Sequence, residues 1–158
     1  MTSNLPADTS DREIAASRIF DAPRTLVWEV WTDSKHLERW WGPHDFTTST
    51  AEFDFSPGGR WVHTMHGPDG TDYKNESVFT EIIIYEKIVF DHVSGPKFTA
   101  TVRFEEQGEK TILNWHMLFE TPEQLAHVIK TFKADEGLKQ NLEKLDAYLT
   151  ELAGERAG

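Results

Sequence analysis

The 158-residue chain contains no cysteine, which excludes disulfides, thiolate nucleophiles and thiolate metal sites and allows a reducing, intracellular home. Nowhere do some 18 apolar residues run together, and "MTSNLPADTSDRE" at the start has no basic segment leading into an apolar one. Membrane insertion and a secretory leader are therefore not expected, and the expected location is cytoplasmic. Basic residues are scarce as well. Sixteen Lys and Arg stand against 27 Asp and Glu, for a formal charge of −11. With no basic cluster to release counterions, neither nucleic acid nor an anionic lipid surface is an expected partner. The charge is read as a solubility device. Internal repeats and low-complexity segments are absent too.

Catalytic and metal signatures are equally thin. There is no HExxH or cysteine set for a metal, and His63 and His66 fall on opposite faces of a strand. No G-x-S-x-G elbow or G-x-G-x-x-G phosphate loop occurs, and the glycines of "SPGGR" read as a turn. No metal and no cofactor are expected.

Bulky apolar material is what the chain does have: six Trp and ten Phe, enough to pack one core without covalent staples. One domain over 12–153 is expected, flanked by loose tails at 1–11 and 154–158. "EIAASRIF" (13–20) reads as a strand. Asp21-Ala22-Pro23 opens a helix with proline at its first position, and "RTLVWEVW" continues it with Val27, Val30 and Trp31 on one face. In "HLERWWGPHDF" (36–46), Asp33 caps a second short helix and Gly42-Pro43 ends it. Leu37, Trp40 and Trp41 then stand at i, i+3 and i+4 and share one apolar face.

Beyond Phe46 the period changes to two. "FTTSTAEFDF" sets Ala51, Phe53 and Phe55 on one side, and "RWVHTMHG" sets Trp61, His63 and Met65 together. "YKNESVFTEIIIYE" and "KIVFDHV" are two further strands whose facing stays ambiguous, since both parities carry apolar residues. "KFTATVRFE" aligns Phe98, Ala100, Val102 and Phe104; "TILNWHMLF" aligns Leu113, Trp115, Met117 and Phe119. Thr121-Pro122-Glu123-Gln124 fits a capping box ahead of Leu125, Val128, Ile129 and Phe132. After "KADEG" a second stripe follows at Leu138, Leu142, Leu145, Leu149 and Leu152. The expected architecture is α+β: six to seven antiparallel strands curved around a long C-terminal helix, with two short helices between the first two strands.

Four stretches, "SRIFDAPRTLVWEVWTDSKHLERWWGP", "DFSPGGRW", "MHGPDGTDYKNESVFTEI" and "EGLKQNLEKL", resemble in order the signatures of the START-like (SRPBCC) superfamily. The branch they resemble is that of homologues of the C-terminal domain of the activator of the heat-shock-protein-90 ATPase. The resemblance spans roughly Glu13 to Leu152. It implies a helix-grip fold with a hydrophobic cavity between sheet and C-terminal helix. One departure is Gly137-Leu138, where many relatives open the last helix with Gly-Trp.

The expected function is to hold a small hydrophobic molecule, lipid-like or aromatic, in that cavity. Candidate ligand-binding residues are Trp31, Trp40, Trp41, Phe55, Trp61, His63, Met65, Phe79, Phe90, His92, Trp115, Met117, Leu138 and Leu142. The tryptophans serve equally well as ordinary core. His63 is either bonded to a neighbour or an anchor for a ligand oxygen, because a buried imidazole without any partner forfeits about 1–3 kcal/mol. Asn75, Glu76 and Glu81 add polar contacts if their strand turns them inward. Two alternatives stay open: an interaction module contacting a chaperone, which the resemblance alone suggests, and a small enzyme of cyclase, lyase or hydrolase type. The protein is expected to act as a monomer or homodimer.

Overall fold

The computed structural model describes residues 10–157. β1 (Glu13–Phe20) is followed by α1 (Arg24–Trp31) and α2 (Ser34–Trp40). Then come β2 (Thr47–Phe53), β3 (Arg60–His66), β4 (Asp72–Ile83), β5 (Lys87–His92), β6 (Phe98–Gln107) and β7 (Lys110–Phe119), and the chain closes with α3 (Pro122–Phe132) and α4 (Ala134–Ala157). The seven strands form one antiparallel sheet in the order β1-β7-β6-β5-β4-β3-β2. Inserting α1 and α2 after β1 sends β2 to the opposite edge, leaving β1 to pair with β7. Of the expected tail at 1–11, residues 1–9 lie outside the described residues, and Ser10–Arg12 form one 3-10 turn. At the other end α4 continues to Ala157.

Two bulges curve the sheet, and both explain where alternation misleads. The β2–β3 register shifts between Thr50 and Glu52, so Ala51 is passed over and exposed. Thr48, Thr50 and Phe53, paired with Met65, His63 and Trp61, take the inner face. A second shift between Phe79 and Glu81 turns Ser77 and Phe79 inward before it, and after it Ile82 packs on the core while Ile83 is exposed. That settles the ambiguous strand: an extra residue reverses the parity of everything beyond it.

α1 and α2 obey their local signals with small offsets. Pro23 sits one position earlier than expected, as the N-cap, where its carbonyl accepts from Leu26 and Val27 N–H. Asp33 caps α2 by accepting from Lys35 N–H at 2.9 Å. Trp41 corrects the shared-face reading of the tryptophan pair. α2 ends at Trp40, and Trp41 is extended (φ −69°, ψ 137°), so the i, i+4 relation to Leu37 does not apply to it. Gly42 follows at φ 103°, a left-handed conformation that glycine adopts without a Cβ penalty.

Helix α4 lays Leu138, Leu142, Leu145, Leu149 and Leu152 against the core, all buried. Its break from α3 is a single left-handed residue, Lys133 (φ 52°), so Asp135 to Gly137 lie inside the helix. The Thr121 cap forms as expected: its hydroxyl accepts from Gln124 N–H at 3.0 Å, and Gln124 Oε1 accepts from Glu120 N–H at 3.1 Å. α3 buries less than its apolar spacing suggests. Only Val128 is fully enclosed, Leu125 packs against the core part-buried, and Ile129 and Phe132 remain exposed.

A cavity between the sheet and the corner of the last two helices

The tryptophans fill one end of the space under the sheet. Trp40 is wholly buried and its Nε1–H donates to the Val30 carbonyl at 3.0 Å. Trp31 packs edge-to-face on Trp40 and on Trp115, each at 4.9 Å between ring centroids. Trp41 lies 4.7 Å from Trp61 and 5.3 Å from Trp115. Five indoles joined through ring contacts, most of them edge-to-face, form a continuous wall, and the contacts add to the large area removed from water.

Beyond that wall a cavity of about 610 Å³ opens between β3–β7 and the α3–α4 corner. Such a volume falls within the range of small-molecule sites. Eight of the fourteen candidates line it: Trp41, His63, Met65, Phe90, His92, Trp115, Met117 and Leu138. Trp31, Trp40, Trp61, Phe79 and Leu142 stand one layer back, buried in the core that supports the lining. Phe55 is brought to a different place, a shallow groove beside Trp28, Ile82 and Ile84, where it packs on Phe79 at 5.0 Å.

Several lining residues were not among the candidates. Phe98 and Phe119 were legible as inward-facing by parity. Ser77, Pro96, Val128 and Asn141 also line the space. Asn141 had a signal of its own, since it interrupts the buried leucine stripe of α4. It is 6% exposed and clasps the neighbouring loop: its Oδ1 accepts from Gly42 N–H at 3.2 Å and its Nδ2 donates to the Trp40 carbonyl at 2.8 Å. Lys144, one turn further along, donates to the carbonyls of Pro43 and Phe46 at 3.2 and 3.1 Å. Burial lowers its pKa, opposed by the nearby Asp45 carboxylate. Together these two residues tie the 41–46 loop, and hence Trp41, to α4.

Most of the polar lining lies on three adjacent strands. His63 on β3 pairs in register with Asn75 on β4, and Ser77 on β4 with His92 on β5. His63 is 3% exposed, stacks on Trp61 at 4.4 Å, and its Nδ1 has no hydrogen-bond partner. Burial, and then the neighbouring His92, push its pKa down to about 3, so it is neutral at physiological pH. Ser77 Oγ is also buried without a partner. His92 is held from both sides, by the Pro96 carbonyl and by Asn75 Oδ1, each at 2.7 Å. Burial lowers its pKa, opposed by the hydrogen bonds to the Pro96 and Ser94 backbone. Glu76 and Glu81 are turned to the outer face, pairing with Arg60 and Lys87 at 3.1 and 2.9 Å.

Among the described residues no group of three or more His, Asp or Glu is placed to hold a metal ion, and no helix is long and apolar enough to cross a membrane.

A curved antiparallel sheet closed by a long C-terminal helix, with two short helices after its first strand and an apolar hollow beneath, defines the helix-grip class of the START-like superfamily. Within that class the chain belongs to the family of activator of Hsp90 ATPase homolog 1-like proteins, whose model matches residues 21–150. No curated protein matches the sequence. Among solved structures, a protein from Arthrobacter aurescens is 28% identical with a TM-score of 0.84, covering 96% of this chain and 93% of its own. One from Mycobacterium smegmatis is 25% identical with a TM-score of 0.82, covering 94% and 98%. An AHSA1-like protein from Aeromonas hydrophila, at 22% identity and a TM-score of 0.71 over 90% and 94% of the two chains, shares the fold.

Proposed function

We propose that this protein binds a small hydrophobic or aromatic molecule in the cavity, walled by Trp41, Phe90, Trp115 and Met117 and oriented by His63. The observation that carries the reading is a roomy apolar hollow with an unpartnered, neutral histidine in its wall. Sites of this kind gain affinity from apolar burial and orientation from a few polar groups. A close-packed interior has no use for a void of this size, and an unpaired buried imidazole is costly unless a guest completes it. Titration with a library of flat aromatic and lipid-like probes, followed by Trp fluorescence and amide chemical shifts, tests it. The expected result is saturable change centred on Trp41, Trp115 and the strands around His63; no saturable response across the library counts against it. Mass spectrometry of molecules that copurify with the protein then gives the ligand's identity.

A protein-interaction role is the second reading. It is favoured by the exposed turn Ile83-Ile84-Tyr85, where Ile84 is 67% exposed beside the Trp28 and Phe55 groove. Contact with a chaperone is suggested by the family description. Ile84→Asp should abolish capture of a partner while leaving probe binding in the cavity unchanged, which separates the two roles.

A further inference from the structure

His92 stands between two oxygens. Its Nδ1 faces the Pro96 carbonyl and its Nε2 faces Asn75 Oδ1, both at 2.7 Å. The Asn75 amide is held in this orientation because its Nδ2 donates to the Tyr73 carbonyl at 2.9 Å; turned over, it would set oxygen against oxygen. A neutral imidazole has one N–H and satisfies one of the two acceptors, whereas an imidazolium has two and satisfies both. Both separations also sit at the short end characteristic of charged donors. Ser94 Oγ, the hydroxyl beside Nε2, is farther away at 3.4 Å. The geometry therefore fits the cation.

A cation here has no counter-ion among the described residues. His63 from β3, Asn75 and Ser77 from β4, Ser94 and Pro96 from the turn after β5, and Phe98 from β6, stacked on the ring at 4.7 Å, are all uncharged. The carboxylates near by are engaged elsewhere: Asp91 points to the other face and accepts from Thr99 Oγ1 at 2.7 Å, and Asp72 accompanies His66 at the mouth. Asp72 and Lys74 border the cavity where β4 begins, although the even-numbered side chains at this end of β4, Glu76 included, share the outward parity. Burial by itself disfavours the charged imidazole, as it disfavours any isolated buried ion. A site shaped for an imidazolium yet lacking an anion is half of an ion pair.

We propose that the cavity's guest is an apolar carboxylic acid bound as its carboxylate, and that His92 takes up one proton from solvent as the anion enters. This rests on the reading that the cavity binds a small molecule, and it adds the charge of that molecule. The carboxylate accepts the N–H of neutral His63 and lies within the field of the charged His92, whose own two N–H groups stay on Pro96 and Asn75. No covalent bond is made or broken. One negative charge arrives with the guest and one positive charge is gained by the protein, so the hollow remains neutral.

The experiment uses 2-naphthoic acid and its neutral counterpart 2-naphthamide, titrated into the whole protein by calorimetry at pH 7.5 in two buffers of different ionisation enthalpy. The expected result is that the acid binds at least tenfold tighter than the amide, with uptake of close to one proton. Between the free and the liganded His92 pKa its affinity falls by about tenfold per pH unit as pH rises, the slope of a single linked proton, and it levels off above the liganded pKa. Imidazole nitrogen NMR should show both His92 nitrogens protonated in the complex. His92→Gln removes the slope and the preference for the acid. Asn75→Asp, which sets a resident carboxylate against Nε2, lowers the acid-to-amide affinity ratio tenfold or more. Equal or tighter binding of the amide, or no proton uptake, overturns the carboxylate proposal while leaving ligand binding intact. If neither probe binds, the carboxylate proposal falls, and the broader reading is decided by the library titration.

Discussion

Trp40 and Trp41 are consecutive in the chain and their rings are 5.4 Å apart, yet Trp40 is sealed in the core and Trp41 faces the cavity. The division follows from the end of α2 between them, and it predicts opposite outcomes for the same substitution. Trp40→Ala should lower unfolding stability by about 3–5 kcal/mol, the usual cost of emptying a large aromatic site, as read by denaturant melts. Trp41→Leu should move stability far less and change the affinity or spectrum of bound probes.

His63 makes stability depend on acid. In the unfolded chain its pKa is near the ordinary 6.5; in the folded protein it is about 3. Between those values the unfolded state binds the extra proton, so stability is fully present above pH 6.5 and is lost as pH falls toward 3. At pH 4 this amounts to roughly 3 kcal/mol, and His92, shifted in the same direction, adds to it. Thermal melts from pH 7 to 4 should show a steep decline that His63→Phe makes shallower. An unchanged slope in the variant would remove His63 from the account.

The clasp between α4 and the 41–46 loop should fail in a characteristic order. Asn141→Leu leaves Gly42 N–H and the Trp40 carbonyl without partners, at about 1–3 kcal/mol, and Lys144→Met frees the carbonyls of Pro43 and Phe46. Both variants should speed hydrogen exchange at residues 41–46 before affecting the sheet. Gly42→Ala should act similarly, since φ is 103° there and the added carbon would lie 3.4 Å from Phe46 Cβ.

Leu138 offers a test of the cavity that leaves the chemistry of its polar side untouched. It lines the hollow at 5% exposure. Leu138→Trp should fill part of the space, weaken binding of naphthalene-sized probes by tenfold or more, and hold or raise the melting temperature, because a void is replaced by contacts. Equal binding in the variant would move the ligand site away from Leu138.

Local rules decided much of this protein from its residues alone. Alternation placed Trp61, His63, Trp115 and Met117 on one face, the leucine stripe placed α4 against the sheet, and the caps at Asp33 and Thr121 formed as their hydrogen-bonding chemistry requires. These depend on neighbours within a few positions, which the linear chain displays. The parting of Trp40 from Trp41, the two bulges that reverse strand facing, and the meeting of His63, Asn75 and His92 were decided only by the tertiary structure. One residue of register or helix length determines each of them, and that choice is made by packing between segments far apart in sequence. Whether His92 meets one acceptor or two likewise depends on where β4 and the Pro96 turn come to rest, which no spacing along the chain encodes.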